Sequence, residues 1–377
     1  MDIDFSSEQL MLVKAAREFV TRNVPIRLVR EMEKDPRGFT AEIWPGMADL
    51  GWMGCMIPEE YDGVGDTFLN LAVLLEEMGR ACLPGPFFST VILGAVTLIN
   101  AGSDTQKRDI LPSVAMGETI LTMALTEASA GWDAANVTAK AVKSGDGYVI
   151  NGTKEFVPDA HVADRIICVT RTGEGADPDA GITLFLVDAK TPGITINPLQ
   201  TMAGDKQCEV IFDDVKVSSE DIIGEVDKGW PVVAKTLQYA AVGKCLEMVG
   251  AARKALEMAV EYATQRVQFG KPIGTFQAIQ HHCANMATDV EGSRLLTYKA
   301  AWMLSEGLPC EKEVAQAKAF VSNVARKVLA LSHQVHGAIG YTQEHDLQLY
   351  YRRVKAAELA YGDAYYHACR AQAAMGI

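Results

Sequence analysis

The spacing of apolar residues changes twice along the chain, and this limits the folds that the chain can adopt. From Phe5 to about residue 117, apolar residues recur every three or four positions, as in EQLMLVKAAREFV and FLNLAVLLEEMGRA. Ser6 or Ser7 suits the N-cap of the first helix. The helical spacing returns at Gly229 and continues to the end. This final part begins with the long candidate WPVVAKTLQYAAVGKCLEMVGAARKALEMAVEYATQRVQ and contains further helix candidates over residues 311–338 and 347–374.

The residue pattern of the segment between these helical parts is typical of β-structure. Its short runs are rich in β-branched residues: ILTMALTE, VTAKAVKS, GYVING, RIICVTRT, GITLFLVD and CEVIFDDVKV. Turn signals such as SGDGY and GEGADPDAG separate them. Strands without intervening helices predict an antiparallel barrel or sandwich. We therefore expect an α+β chain with a helical domain over 1–117, a β domain over 118–228 and a helical bundle over 229–377.

Charge and cysteine spacing exclude several classes of protein. The formal net charge of −13 argues against nucleic-acid binding, which needs a basic face. No apolar run is long enough to cross a bilayer, and the opening MDIDFSSEQL has no secretory or mitochondrial pattern. We therefore expect a cytoplasmic protein. The eight cysteines are scattered without metal or redox spacing, so we expect no metal site.

Two segments of the last part carry a specific resemblance. QRVQFGKPIGTFQAIQHH (265–282) and QVHGAIGYTQEHDLQLYYRR (334–353) resemble the signature regions of the flavin-dependent acyl-CoA dehydrogenases. The likeness continues through LGWMGCMIPEEYDGVG, ALTEASAGWD and YVINGTKEFVPDAHVAD, so it spans nearly the whole chain. The resemblance implies an N-terminal helical domain, a central antiparallel β-barrel or sandwich and a C-terminal four-helix bundle.

The same resemblance implies FAD as cofactor and an oligomer, because relatives bind FAD across a subunit interface. Arg266 supplies a cation for the pyrophosphate, whereas Phe269 and Phe276 supply flat apolar contact. Gln277 offers an amide that can bind adenine or orient a neighbouring group. After Gln334, two glycines allow the backbone to approach phosphate closely and present N–H donors. These glycines are Gly337 and Gly340.

In the β segment, LTEASAGWD resembles the family's loop over the flavin, with Leu125 and Thr126 in matching places. Phe156 matches the aromatic residue that packs on the flavin. Two positions depart from the family pattern. Trp132 replaces a Ser that commonly contacts phosphate, and Pro158 replaces the Ser or Thr that contacts flavin N5. Proline has neither a hydroxyl nor an N–H, so this contact is lost or supplied by backbone.

The reaction that the resemblance implies needs a carboxylate to remove the α-proton of an acyl-CoA thioester. The family's usual base is the Glu of a Tyr-Glu-Gly-Thr motif, and Tyr361 stands at that Glu position in AYGD. A phenol has a reference pKa of ~10 and is a poor base at neutral pH. The backbone N–H of Tyr361 is still expected to hold the thioester oxygen. A second position that some relatives use is Ala240, which is also not acidic.

Glu247 lies two turns beyond Ala240 on the same face of the long helix, so we predict that Glu247 is the base. The alternative is an exposed Glu that pairs with Lys244. Asp363 occupies the family's Thr place beside the flavin and is a weaker candidate. Glu358 is another weak candidate, since a Glu on a terminal helix is more often at the surface.

Three functions remain open on this sequence. The leading prediction is an FAD-dependent acyl-CoA dehydrogenase, a homo-oligomeric dimer or tetramer that passes electrons to electron-transfer flavoprotein. The second is the non-catalytic subunit of a heteromeric α2β2 dehydrogenase, which the substitutions Tyr361, Pro158 and Trp132 favour. The third is a flavin monooxygenase or oxidase, which needs no α-proton base. Small residues on the long helix, such as Ala240 and Gly243, would leave room for a branched or ring-bearing acyl chain.

Overall fold

The computed structural model describes residues 4–173, 175 and 177–376, which form two compact units. The helical unit combines Met1–Glu31, Phe68–Leu83 and Ala241–Ile377, and the β unit combines Met32–Thr67 and Pro84–Ala240. The start of the acidic opening and two residues of the predicted GEGADPDAG turn lie outside the described residues. The three-domain boundaries inferred from composition stay a prediction.

Helices occupy both ends of the chain, as the periodicity predicts. The α-helices of the described residues are α1 (Ser7–Asn23), α2 (Ile26–Lys34), α3 (Ile43–Asp49), α4 (Phe68–Ala81), α5 (Val96–Ala101), α6 (Asp104–Ala115), α7 (Trp230–Gln265), α8 (Gln277–Ser305), α9 (Glu311–His336), α10 (Leu347–Leu359) and α11 (Ala364–Met375).

Local sequence signals set several of these helix ends. Ser6 caps α1 and forms a reciprocal capping box with Gln9, through N–O distances of 3.1 and 3.2 Å. The single helix predicted over residues 347–374 is instead two helices, α10 and α11. The chain breaks there because Tyr361 and Gly362 both adopt positive φ, at +58° and +97°, which no α-helix accommodates.

The central β domain is confirmed. Its strands are β1 (Leu121–Ala124), β2 (Lys140–Ser144), β3 (Gly147–Pro158), β4 (Arg165–Arg171), β5 (Ile182–Asp188), β6 (Ile194–Leu199), β7 (Gln207–Ser218) and β8 (Ile222–Ile223). They form one sheet in the order β6-β7-β3-β2-β4-β5-β8, and β1 pairs with β4. Most pairings are antiparallel, but β4 runs parallel to both β1 and β2. A separate hairpin joins β9 (Val267–Gln268) to β10 (Lys271–Pro272).

The core of the β unit is built from alternate residues of these strands. Buried side chains include Ile150, Phe185, Val210 and Phe212, all at most 2% exposed. The apolar stretch STVILGAVTLINAG is mostly buried, in a wide π-helical segment (Phe88–Ala95) followed by α5. No helix of the described residues has the length and apolar character needed to cross a membrane.

In the helical unit, α4 and α7 cross with their backbones in direct contact. A Cβ placed on Gly250 would lie 1.9 Å from the carbonyl oxygen of Glu76. A Cβ on Gly79 would lie 2.4 Å from the Cα of Glu247. Only glycine permits this approach at either position. The crossing therefore fixes the position of the helical turn that carries Glu247.

Two buried carboxylates on α4 bind neighbouring helices: Glu76 binds α7 and α8, and Glu77 binds α1. Glu76 accepts hydrogen bonds from Tyr298 Oη at 2.8 Å and from Arg253 Nη1 at 3.1 Å. Glu77 accepts two from the guanidinium of Arg17, at 2.6 and 3.0 Å. Both carboxylate side chains are at most 5% exposed, and each is paired with a cation, as buried charges require.

We predict that Gly250→Ala destabilises the protein, because the new methyl group overlaps the backbone of α4. Overpacking of this kind costs about 1–3 kcal/mol or more. The matched control is Gly292→Ala on α8, where an added Cβ would meet nothing closer than Phe320 at 3.9 Å. Thermal unfolding followed by circular dichroism should show a clear drop for Gly250→Ala and an equal or higher midpoint for Gly292→Ala. Equal midpoints in the two variants would contradict the close crossing.

Candidate active site

The loop after β1 is organised by a buried ion pair. Lys154 is fully buried and donates from Nζ to Glu127 Oε1 at 2.7 Å and to the carbonyl oxygen of Leu125 at 3.1 Å. The Glu127 carboxylate also accepts from the Thr138 hydroxyl and from the backbone N–H groups of Thr138 and Ala139. The strand residue Lys154 thus holds the first residues of the loop that resembles the family's flavin loop.

The electrostatics of this pair favour the ionised carboxylate. Burial alone raises the pKa of Glu127, but the charge and hydrogen bond of Lys154 and the donors at 138–139 outweigh it. The net result is a lowered pKa. Glu127 is therefore a structural anion that fixes the loop, and no proton transfer is assigned to it.

Phe156 is presented outward by a bulge in β3. The register between β3 and β7 shifts between Lys154 and Val157, and Phe156 adopts a φ of +53°. Its side chain is 54% exposed, which is unusual for a phenylalanine beside a packed strand. The N–H of Glu155 donates to the carbonyl of Thr126 at 2.8 Å, so the bulge and the loop lie side by side. The β unit therefore brings Leu125, Thr126 and Phe156 together.

Pro158 follows directly, and its carbonyl accepts a hydrogen bond from the Thr122 hydroxyl at 2.5 Å. Its side chain offers no donor. The family pattern has a Ser or Thr hydroxyl at this position, and the side chain of Pro158 has no such donor.

In the helical unit, the hairpin after α7 carries exposed aromatic rings. Phe269 and Gly270 form its two-residue turn with φ values of +53° and +79°, as a type I′ turn requires. Phe269 is 91% exposed, and its ring centroid lies 6.1 Å from that of Phe276. Lys271 Nζ lies 4.5 Å from the Phe276 ring centroid. Arg266 and Gln277 flank this pair and are exposed.

The second signature segment ends α9 and continues into a 3₁₀ turn over Gly337–Tyr341. Gln334 is exposed on the last turn of α9. Gly337 adopts a φ of +67°, and Gly340 is buried, with the Cβ of His336 only 3.0 Å from where its own Cβ would lie. The space around Gly337 is open, since a Cβ there would meet nothing within 4 Å, while the positive φ of Gly337 and the close contact at Gly340 both favour glycine.

The loop between α10 and α11 carries Tyr361. Its carbonyl accepts a hydrogen bond from His367 Nε2 at 2.8 Å. Asp363 caps α11, and its carboxylate accepts from the Tyr366 N–H at 2.8 Å. The role of Asp363 beside a flavin stays a prediction.

Glu247 lies on α7 in an ion pair. Its Oε2 is 2.8 Å from Lys244 Nζ, and the two side chains are 25% and 19% exposed. The pair is thus partly buried, which differs from the fully solvated face that an isolated surface Glu would occupy. Ala240, two turns earlier, is completely buried. The structure shows the ion pair that the sequence left as an alternative, and the role of Glu247 as base stays a proposal.

The expectation that Glu358 lies at the surface is wrong. Glu358 is 4% exposed, and its carboxylate lies 3.4 Å from Arg326 Nη1 and 3.1 Å from Lys355 Nζ. Arg326 belongs to α9, so a contact distant in sequence buries this side chain. Two further buried residues, Lys318 and His367, were not predicted from the sequence. Their partners are backbone carbonyls, which leave no trace in a residue pattern.

Comparison with known proteins identifies the family. Three family models match the chain: the acyl-CoA dehydrogenase N-terminal domain at residues 6–118, the middle domain at 122–215 and the C-terminal domain at 227–374. The chain belongs to the acyl-CoA dehydrogenase family. It is therefore an oxidoreductase that acts on CH–CH donors, and the three-part fold predicted for the family is confirmed.

Three similar proteins illustrate the range of this family. A subunit of the caffeyl-CoA reductase–Etf complex from Acetobacterium woodii is 33% identical over 353 residues, covering 92% of this chain and 93% of that protein. Butyryl-CoA dehydrogenase from Megasphaera elsdenii is 31% identical, with a TM-score of 0.93 and full coverage of both chains. The ChsE4–ChsE5 complex from Mycobacterium tuberculosis is 27% identical, with a TM-score of 0.90 over 100% of this chain and 99% of that chain.

FAD is the cofactor of the acyl-CoA dehydrogenase family, and the side chains of this member fit a flat, phosphate-bearing ligand. Phe156 in the β unit and Phe269 in the helical unit each expose an aromatic ring from backbone of positive φ. Arg266 adds an exposed cation beside a hairpin, and Gly337 opens the backbone of a 3₁₀ turn. Each of these features occurs in a segment that resembles a flavin-binding segment of the family.

We predict that Lys154→Met lowers both flavin content and stability. The substitution leaves the Glu127 carboxylate buried without its cation, and breaking a buried pair costs about 3–5 kcal/mol. The loop that carries Leu125 and Thr126 would lose its anchor. The flavin-to-protein ratio after gel filtration and the thermal midpoint measure the two effects. The control is Lys143→Met on the exposed strand β2. A Lys154→Met protein with unchanged flavin content and midpoint would refute the anchoring role.

Proposed function

We propose that the protein catalyses α,β-dehydrogenation of an acyl-CoA thioester to a 2-enoyl-CoA, with Glu247 as the base. The observation that supports this proposal is the electrostatic interaction between Lys244, one turn before Glu247 on α7, and Lys318, the residue that binds the loop of Tyr361. All of these residues belong to the helical unit. Lys318 donates to the carbonyl of Gly362 at 2.8 Å. Burial lowers the pKa of Lys318 to about 8, and the positive charge of Lys244, the ion-pair partner of Glu247, contributes to the lowering.

Each residue has a defined task in this proposal. The Glu247 carboxylate takes the α-proton, which requires that it leave Lys244 and approach the substrate. The backbone N–H of Tyr361 donates to the thioester oxygen, where negative charge develops as the α-proton leaves. Bound FAD would supply the acceptor for the hydride of the β-carbon. The ion pair with Lys244 orients the Glu247 side chain until the substrate arrives.

The proposal includes electron-transfer flavoprotein as the electron acceptor and a homo-oligomer as the assembly. The Acetobacterium relative is named as a subunit of an Etf complex, which supports the acceptor. The oligomer is supported by the two adjacent rings at the hairpin, since Phe269 is 91% exposed and its ring centroid lies 6.1 Å from that of Phe276. A dimer or tetramer in which a second copy covers this ring is the expected form.

We predict that Glu247→Gln abolishes proton abstraction, because the amide cannot accept the α-proton. The purified protein is titrated anaerobically with a panel of acyl-CoAs, and flavin absorbance is followed together with exchange of α-protons into D₂O. Wild type should bleach and exchange. The variant should lose at least about 10³-fold in both rates, consistent with removal of a positioned base.

The matched control is Glu291→Gln on α8. Glu291 pairs with Arg294 at the same i,i+3 spacing but is 54% exposed, so its removal should change neither rate. Retained bleaching and exchange in Glu247→Gln would assign the base elsewhere. Tyr361→Phe would then test the phenol directly.

A second candidate function is that of the non-catalytic subunit in a heteromeric dehydrogenase. The observation that favours it is the ion pair between Glu247 and Lys244, which occupies the one carboxylate proposed as base. A solved relative is itself a complex of two named proteins, ChsE4 and ChsE5. Expression without partners separates the two functions. A flavin-loaded homo-oligomer that bleaches with an acyl-CoA supports the enzyme, whereas a protein without flavin or without bleaching supports the subunit.

A further inference from the structure

Lys318 is a cation buried inside the helical unit, with no exposed side-chain surface. Its Nζ donates to the carbonyl oxygens of Ala357 at 3.0 Å, Glu358 at 2.8 Å and Gly362 at 2.8 Å. These bonds use all three hydrogens of the ammonium group. Two of the acceptors end α10 and the third belongs to the following loop. Lys318 therefore ties the loop to the helix before it.

The second contact comes from the helix that follows the loop. His367 lies in the first turn of α11, is 6% exposed and donates from Nε2 to the carbonyl of Tyr361 at 2.8 Å. A carbonyl only accepts, so Nε2 carries the hydrogen and Nδ1 carries the lone pair. Within the described part of the chain, Nδ1 is buried and has no hydrogen-bond partner. Burial lowers the pKa of His367 to about 4, which keeps the ring in this neutral form.

The loop between these helices has a conformation that needs such support. Tyr361 adopts a φ of +58°, which is unfavourable for a residue with a Cβ. Gly362 adopts +97°, and a Cβ there would lie 2.4 Å from Tyr366 Cδ1 and 2.8 Å from His367 Nε2. The loop packs so closely on α11 that only glycine fits. Local preference does not select this conformation at Tyr361, so its contacts must.

We propose that His367 and Lys318 are positioning residues that hold the 360–363 backbone in the conformation that presents the Tyr361 N–H. The proposal rests on the proposed function, in which that N–H binds the thioester oxygen. His367 fixes the carbonyl of residue 361 and Lys318 fixes that of residue 362, so two consecutive peptide planes are held. The φ and ψ angles of Tyr361 relate the peptide plane of its N–H to the first of these two planes. Neither side chain touches the reacting atoms.

The test compares two substitutions of one side chain. His367→Gln keeps an N–H that can donate to the Tyr361 carbonyl, whereas His367→Leu has similar bulk and no donor. Amide hydrogen exchange of the peptide that covers residues 360–363 is measured in the flavin-loaded protein without substrate. The kcat and KM are measured with the acyl-CoA that bleaches the wild-type flavin most rapidly. Tyr366→Phe is the control, because it changes a neighbouring side chain of α11 and leaves His367 in place.

We expect His367→Leu to accelerate exchange in this peptide about tenfold or more and to lower kcat by about 10- to 100-fold. KM should change much less, because the N–H acts mainly where charge develops. His367→Gln should restore most of both values, and Tyr366→Phe should change neither. Lys318→Met is expected to loosen the same peptide, with unfolding as a further outcome. The comparison of His367→Leu with His367→Gln therefore decides whether His367 holds the loop.

Unchanged exchange in His367→Leu would overturn the proposal, as would equal losses of kcat in His367→Leu and His367→Gln. The exchange measurement needs no turnover, so it separates this proposal from the proposed function. If no acyl-CoA bleaches wild type, the dehydrogenase function fails. The exchange of residues 360–363 then still shows whether His367 holds the loop.

Discussion

The loop that begins at Leu125 and the 360–363 loop depend on the same kind of interaction, in which a buried lysine donates hydrogen bonds to backbone carbonyls. Lys154 in the β unit holds Leu125 and Glu127, and Lys318 in the helical unit holds the last turn of α10 and Gly362. Each ammonium is fully buried, so its desolvation is offset only if its hydrogens find good acceptors. That requirement makes each loop conformation specific, because any other conformation would leave a buried charge without partners.

These lysines also show the limits of prediction from sequence. Periodicity predicts α1, α4 and α7, because an amphipathic pattern is local and repeated. It misses β6, which is partly exposed and contains Pro198, and it misses the break between α10 and α11. The break depends on Lys318 of α9 and His367 of α11, which donate to backbone carbonyls. Every residue has a backbone carbonyl, so the sequence does not show which carbonyls are bound.

The candidate site also has residues that the sequence predicts and contacts that it does not. The resemblance of signature segments selects Phe156 and Phe269, and the structure gives both an exposed ring on backbone of positive φ. The surroundings of Glu358 could not be predicted, because Arg326 lies 32 residues earlier on another helix. The partner of Glu247 was foreseeable, since Lys244 is one helical turn away. What the sequence does not show is that this pair is partly buried at the crossing of α4 and α7.

Relative to the family pattern, the proposed base has moved from the 360–363 loop to α7 while the backbone donor has stayed. The most direct test is a crystal structure of the Glu247→Gln variant with FAD and the acyl-CoA that bleaches wild type. In this complex we expect about 3–3.5 Å between the side-chain terminus at position 247 and the α-carbon of the acyl-CoA. We also expect about 2.9 Å between the Tyr361 nitrogen and the thioester oxygen. An α-carbon that lies against the Tyr361 hydroxyl, with the side chain at position 247 still on Lys244, would contradict this placement of the base.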